Sequence, residues 1–367
     1  MTSAATPGAT TSAATPGAPT FAVVSGAQVH EALHGHEQDV IATVEAAYRL
    51  HGEGRTVNPD SYFLRFPDRP SDRIIALPAS LRPSGEGGPG DSGDPGVHGI
   101  KWISSFPGNV AAGLPRASAV LILNDAETGY PFACLESSII SAVRTAASAA
   151  LAAARLADAR GERPRRVGFF GVGLIARYIH TYLAANGFDF TEAGVHDLSA
   201  DHARGFADYL RRSEGEELTV TVHEKPEDLV RSADLVVFAT VAGEPHVTDP
   251  SWFDHHPLVL HISLRDLSPG IVLDSWNAVD DIDHCLKAGT SPHLAEQQVG
   301  HREFVAGTLY DVLTGAITPP ADRPVVFSPF GLGVLDLAVA KHVYDHVRSE
   351  DQLHTVPGFF HELKRYG

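Results

Sequence analysis

The chain has 367 residues, 43% of them hydrophobic, a length that suggests two domains with a sizeable core. Its 45 acidic residues against 28 basic ones give a formal charge of −17, which argues against nucleic acid and anionic membrane surfaces as partners. No apolar run approaches a membrane span, and two cysteines, Cys134 and Cys285, fit a reducing cytoplasm better than a disulfide framework.

Residues 2–9 and 11–18 repeat Thr-Ser-Ala-Ala-Thr-Pro-Gly-Ala. The repeat lacks the basic start and the apolar core of a signal peptide, so residues 1–20 read as a disordered tail. A strand over 21–25 and a helix over 26–50 are predicted next. Strands follow over 62–66, 73–78, 99–104 and 117–124. The Gly/Pro-rich stretch from Pro83 to Gly96 reads as a loop within this unit. Asn124-Asp125-Ala126-Glu127-Thr128-Gly129 predicts a hairpin turn, with a returning strand over 130–135. Together these make a mostly antiparallel sheet.

The alanine-rich segment 137–159 predicts a long helix. After it, strands (166–170, 191–196, 218–223, 234–240, 258–263) alternate with helices (174–185, 199–213, 226–232), the pattern of a doubly wound parallel sheet. The first of these strands runs into Gly171-Val172-Gly173-Leu174-Ile175-Ala176, a G-x-G-x-x-A loop that opens a helix. Gly171 allows a tight turn and Gly173 lets a pyrophosphate approach the backbone. Ala176 lets the helix pack close to the strand, and the free N–H groups at the helix start hold phosphate. The next strand ends in Asp197, which can accept from a ribose 2′-OH and would repel a 2′-phosphate. The loop therefore predicts a Rossmann domain that binds NAD rather than NADP. Thr240, at the end of the fourth strand, is expected to line the cofactor cleft. Thr145 either reaches cofactor or caps local backbone. The 20 histidines form no compact set with zinc spacing, so no metal is expected. A last strand (324–327) and helix (333–348) follow.

Several strings resemble the ornithine cyclodeaminase/μ-crystallin family. They are Asp72-Arg73-Ile74-Ile75-Ala76-Leu77-Pro78, Gly99-Ile100-Lys101-Trp102-Ile103, Arg116-Ala117-Ser118, and Arg144-Thr145-Ala146-Ala147 ahead of the glycine loop. The subgroup most similar is the N-(2-amino-2-carboxyethyl)-L-glutamate dehydrogenases of 2,3-diaminopropionate biosynthesis.

The resemblance implies a Rossmann NAD-binding domain over 136–324. It also implies a split α+β substrate and dimerisation domain over 21–135 and 325–367. It implies a homodimer, a small amino-acid-derived substrate with three carboxylates, and an upstream synthase that makes that substrate. Hydride transfer and imine hydrolysis would yield 2-oxoglutarate and L-2,3-diaminopropionate, feeding a siderophore or peptide antibiotic.

The substrate contacts implied are Arg73, Lys101 and Arg144, with Arg65 added for a side-chain carboxylate. Lys101 and Asp266 are the implied catalytic residues. The segment Asp266-Leu267-Ser268-Pro269-Gly270-Ile271-Val272-Leu273 lacks the Asp-x-x-Gly-Lys-x-Glu-Leu pattern of the cyclodeaminases. A cyclodeaminase and a non-catalytic, μ-crystallin-like binding protein are the alternatives.

Overall fold

The computed structural model describes residues 19–82, 96–214 and 217–361. The repeat tail up to Ala18 and the stretch Pro83–Pro95 lie outside the described residues. Two eight-stranded sheets organise the described chain.

The first sheet is antiparallel except where Ala22–Val24 runs parallel to Pro131–Glu136. Its central strands are Arg69–Leu81, Val97–Ser105 and Ala117–Asp125, longer than the sequence predicts. Tyr62–Phe66 pairs on Arg69–Leu81. The expected hairpin closes with Asp125 N–H donating to the Tyr130 carbonyl and Gly129 at φ +74. The predicted helix over 26–50 is two helices, Gly26–Leu33 and Glu37–Gly52. Gly35, at φ +82, breaks the run where a continuous helix would need a negative φ.

The second sheet is parallel throughout. From one edge its strands are Thr219–Val222, Glu192–His196, Arg166–Phe170, Leu235–Phe238, Leu258–His261, Val325–Ser328, Trp276–Val279 and Val305–Thr308. The order reverses between Arg166–Phe170 and Leu235–Phe238, the switch point where doubly wound sheets bind ligands. The strand Val325–Ser328 sits inside this sheet. The expected boundary at 324/325 is thus corrected: the return to the first unit begins after Ser328. It is made by the helix Gly333–Ser349, which packs on the first sheet, and by His354–Thr355, which pairs with Ala22–Val24.

The helix Ser138–Arg160 joins the two units, packing on Glu37–Gly52 and on Leu174–Ala185. It is long and apolar enough to cross a membrane by composition, but 72% of that window is buried in the protein. Its alanines let neighbouring helices approach closely, so it forms the floor between the units. Cys285 is buried, with its thiol donating to the Ser328 carbonyl, and Cys134 lies half-buried on a strand.

Candidate functional site

The glycine loop has the shape its motif demands. Gly171 sits at φ +81, and a Cβ there would lie 2.9 Å from the Ala239 carbonyl oxygen. A Cβ on Gly173 would meet nothing within 4 Å, so the loop faces open space. That clear approach, beside the start of the helix Leu174–Ala185, fits a dinucleotide pyrophosphate.

Val172, Leu174, Ile175 and Ala176 complete the loop and the first turn of the helix, with Ala176 fully buried. Asp197 Oδ2 accepts from Val172 N at 3.1 Å, and Oδ1 accepts from Ser199 N at 2.8 Å. Each oxygen keeps a lone pair for a ribose hydroxyl. Leu198 and Val241 are left in water beside the ends of their strands, apolar surfaces suited to a base. Asp197→Ser is expected to bring NADP binding within reach of NAD binding. Titration of both cofactors checks this; continued rejection of NADP would contradict the ribose role.

A second constellation forms where the first sheet meets two helices. Lys101, on Val97–Ser105, is 1% exposed. Its Nζ donates to Asp336 Oδ2 at 2.6 Å and to Ser141 Oγ at 3.2 Å. Arg144 Nε donates to Asp336 Oδ1 at 3.1 Å. Burial pulls the Lys101 ammonium down to about 8; Asp336 opposes that shift and Arg144 adds to it.

The terminal nitrogens of Arg144 lie against Gly331, where a Cβ would come within 2.7 Å of Nη1. Gly331 is at φ +98, and its turn is held by buried Asp280, which accepts from Phe330 N at 2.9 Å and Gly331 N at 2.6 Å. Sequence reasoning missed Asp336 and Asp280. The visible signal for Asp336 was one carboxylate inside the apolar run Val334-Leu335-Asp336-Leu337.

Arg73 is half-buried and directly opposite Arg65 across the strand pair, and Arg65 is exposed. Thr145 Oγ1 donates to the Ser141 carbonyl at 2.7 Å, so here it caps backbone. Asp266 departs most from its expected role. It is fully buried, and its carboxylate accepts from Thr240, Ser263 and His246 (2.9 Å). These partners and His261 hold the carboxyl far below its usual range against the cost of burial. A carboxylate so bound and shielded is a poor proton acceptor. It instead fixes the ring of half-exposed His246, whose Nδ1 has no hydrogen-bond partner among the described residues.

The profile of the ornithine cyclodeaminase/mu-crystallin family matches residues 22–351. The chain belongs to this family. It is 27% identical over 320 residues to an alanine dehydrogenase of Archaeoglobus fulgidus, covering 85% of this chain and 91% of that one. It is also 27% identical over 333 residues to the N-((2S)-2-amino-2-carboxyethyl)-L-glutamate dehydrogenase of Staphylococcus aureus, covering 88% and 94%. A solved archaeal alanine dehydrogenase dimer with bound NAD superposes with a TM-score of 0.80 at 25% identity, covering 93% of this chain and all of that one. Relatives at this level of similarity include NAD-dependent dehydrogenases and reductases.

Proposed function

We propose that this family member is an NAD-dependent dehydrogenase of N-(2-amino-2-carboxyethyl)-L-glutamate, releasing 2-oxoglutarate and L-2,3-diaminopropionate. The observation that carries the reading is a row of cations along one face of the first sheet: Lys101, with Arg144 beside it through Asp336, and Arg73 and Arg65 further along. Alanine has one carboxylate and needs fewer cations; this substrate has three. The Staphylococcus aureus enzyme with this activity is as similar to the chain as the alanine dehydrogenase is, each at 27% identity, so the choice between them rests on the cations.

NAD, held by Gly171–Ala176 and Asp197, supplies a hydride acceptor when bound. The remaining work falls to side chains of this chain. Arg144 presents its two terminal nitrogens to the glutamate α-carboxylate, the bidentate geometry that guanidinium favours. Lys101, anchored by Asp336, keeps a third N–H for the same carboxylate or for water attacking the imine carbon. His246, oriented by Asp266, takes the proton from that water and returns it to the departing amine. Thr240 ties the cofactor-side strand to Asp266.

The exposed apolar side chains of Val23, Trp102 and Val120, on the sheet face away from the helices, support a homodimer. An upstream synthase would supply the amine.

The test is a substrate panel followed at the NADH band. The aminocarboxyethyl glutamate is expected to exceed alanine, ornithine and lysine in kcat/KM by at least about 100-fold. Preference for alanine, or proline formed from ornithine without net NADH, would replace this reading. A pH prediction accompanies it. Lys101 is a cation below about 8 and neutral above, so kcat/KM should fall as pH rises through that value. Lys101→Arg should move the fall upward; a rise with pH would make Lys101 the base.

A further inference from the structure

Two more arginines complete a second row of positive charge. Arg65 stands opposite Arg73, and Arg73 stands opposite Ser105 on the next strand. Ser105 Oγ accepts from Arg116 Nη1 at 2.9 Å, so Arg116 extends the row across a third strand. From the other unit comes Arg265, near enough for its charge to act on Arg73, and fixed by Nε and Nη2 to the carbonyls of Gly289 and Ala288 at 3.1 and 2.6 Å. It follows Leu264, a non-glycine residue at φ +76, so the turn that presents it is strained. Among the described residues none of these four arginines has a carboxylate within ion-pair distance.

Side chains alternate along a strand, so Arg73 and Leu77 share a face, as do Lys101 and Ser105. Leu77 pairs with Lys101 as Arg73 pairs with Ser105. The arginine row therefore lies on the same sheet face as Lys101, four residues along, a rise of roughly 13 Å. Like charges directly opposite across strands destabilise a sheet. Burial, and then the charges of Arg116, Arg65 and Arg265, push the Arg73 guanidinium down from its ordinary value. The fold tolerates this repulsion without an internal counter-ion.

We propose that Arg116 and Arg265, with Arg73 and Arg65, form a second carboxylate-binding row, further along the sheet face than Lys101 and Arg144, that selects substrates with distal carboxylates. The proposal deepens the reading above, and it rests on that reading for the identity of the substrate. Because Arg265 reaches from the nucleotide unit and the others from the substrate unit, the distal carboxylates also draw the two units together.

Anion binding tests this without turnover. The full chain is melted with tricarballylate, glutarate or propionate, with and without saturating NAD. Tricarballylate is expected to raise Tm most and propionate least. Arg116→Gln and Arg265→Gln should each weaken tricarballylate binding by at least about tenfold. Arg65→Gln should raise Tm without anion, by relieving repulsion, and reduce the gain on adding it. Affinities unchanged in Arg116→Gln and Arg265→Gln, or a propionate effect equal to that of tricarballylate, would overturn the second carboxylate-binding row. If the substrate panel fails while tricarballylate binding depends on these arginines, only the named reaction falls. If the panel succeeds with KM unchanged in both variants, only the second row falls.

Discussion

Asp336→Asn is expected to cost about 3–5 kcal/mol of folding stability, because it removes the buried carboxylate that Lys101 and Arg144 share, and Arg144 cannot shed its charge. The wild-type carboxylate is fully buried and bonds both Lys101 and Arg144, so no water can substitute for it. The deficit has a distinctive pH dependence. Lys101 already titrates at about 8 with Asp336 present. Above that value it sheds its charge, and the penalty of the variant relative to wild type should shrink. Urea midpoints at pH 7 and pH 9.5 measure this directly. Adding Lys101→Met to Asp336→Asn should recover part of the loss at pH 7. A deficit that is small, or that grows with pH, would contradict the buried pair.

Arg144→Ala is expected to lower kcat/KM by about 2–5 kcal/mol of transition-state stabilisation, the cost of leaving a buried substrate carboxylate unpaired. At about 1.4 kcal/mol per tenfold, that is a loss of roughly 30-fold to several thousand-fold. Gly331→Ala offers a gentler form of the same experiment. Its Cβ would intrude on the guanidinium at 2.7 Å, and its φ of +98 disfavours any side chain. Displacement of the fork by about 1 Å can cost ~100-fold. NAD affinity should hold in both variants, since neither residue touches the glycine loop. Loss of NAD binding together with activity would point to collapse of the cleft instead.

Local features of the molecule were legible in the sequence, and features set by packing were not. The strand, glycine turn and helix around Gly171 are consecutive, so their chemistry is written in adjacent residues. The same holds for the Asp125–Tyr130 hairpin. The partnership of Lys101 with Asp336 spans 235 positions and exists only because a helix from the chain end packs on the first sheet.

The strand Val325–Ser328 looks like any apolar run, and only its pairing between Leu258–His261 and Trp276–Val279 assigns it to the nucleotide unit. The short elements between 264 and 323, such as Trp276–Val279 and Leu309–Thr314, carry too few residues for a clear period. Asp266 was correctly placed near a strand end. The direction of its side chain, toward Thr240 and His246, depends on a positive φ at Leu264 that no sequence pattern announces.

The measurement that bears most directly on the proposed function is a product balance. The purified protein is incubated with NAD and N-(2-amino-2-carboxyethyl)-L-glutamate, and NADH, 2-oxoglutarate and L-2,3-diaminopropionate are quantified together. Equal amounts of all three are the predicted result. NADH without diaminopropionate, or no NADH from this substrate while alanine yields it, would contradict the account.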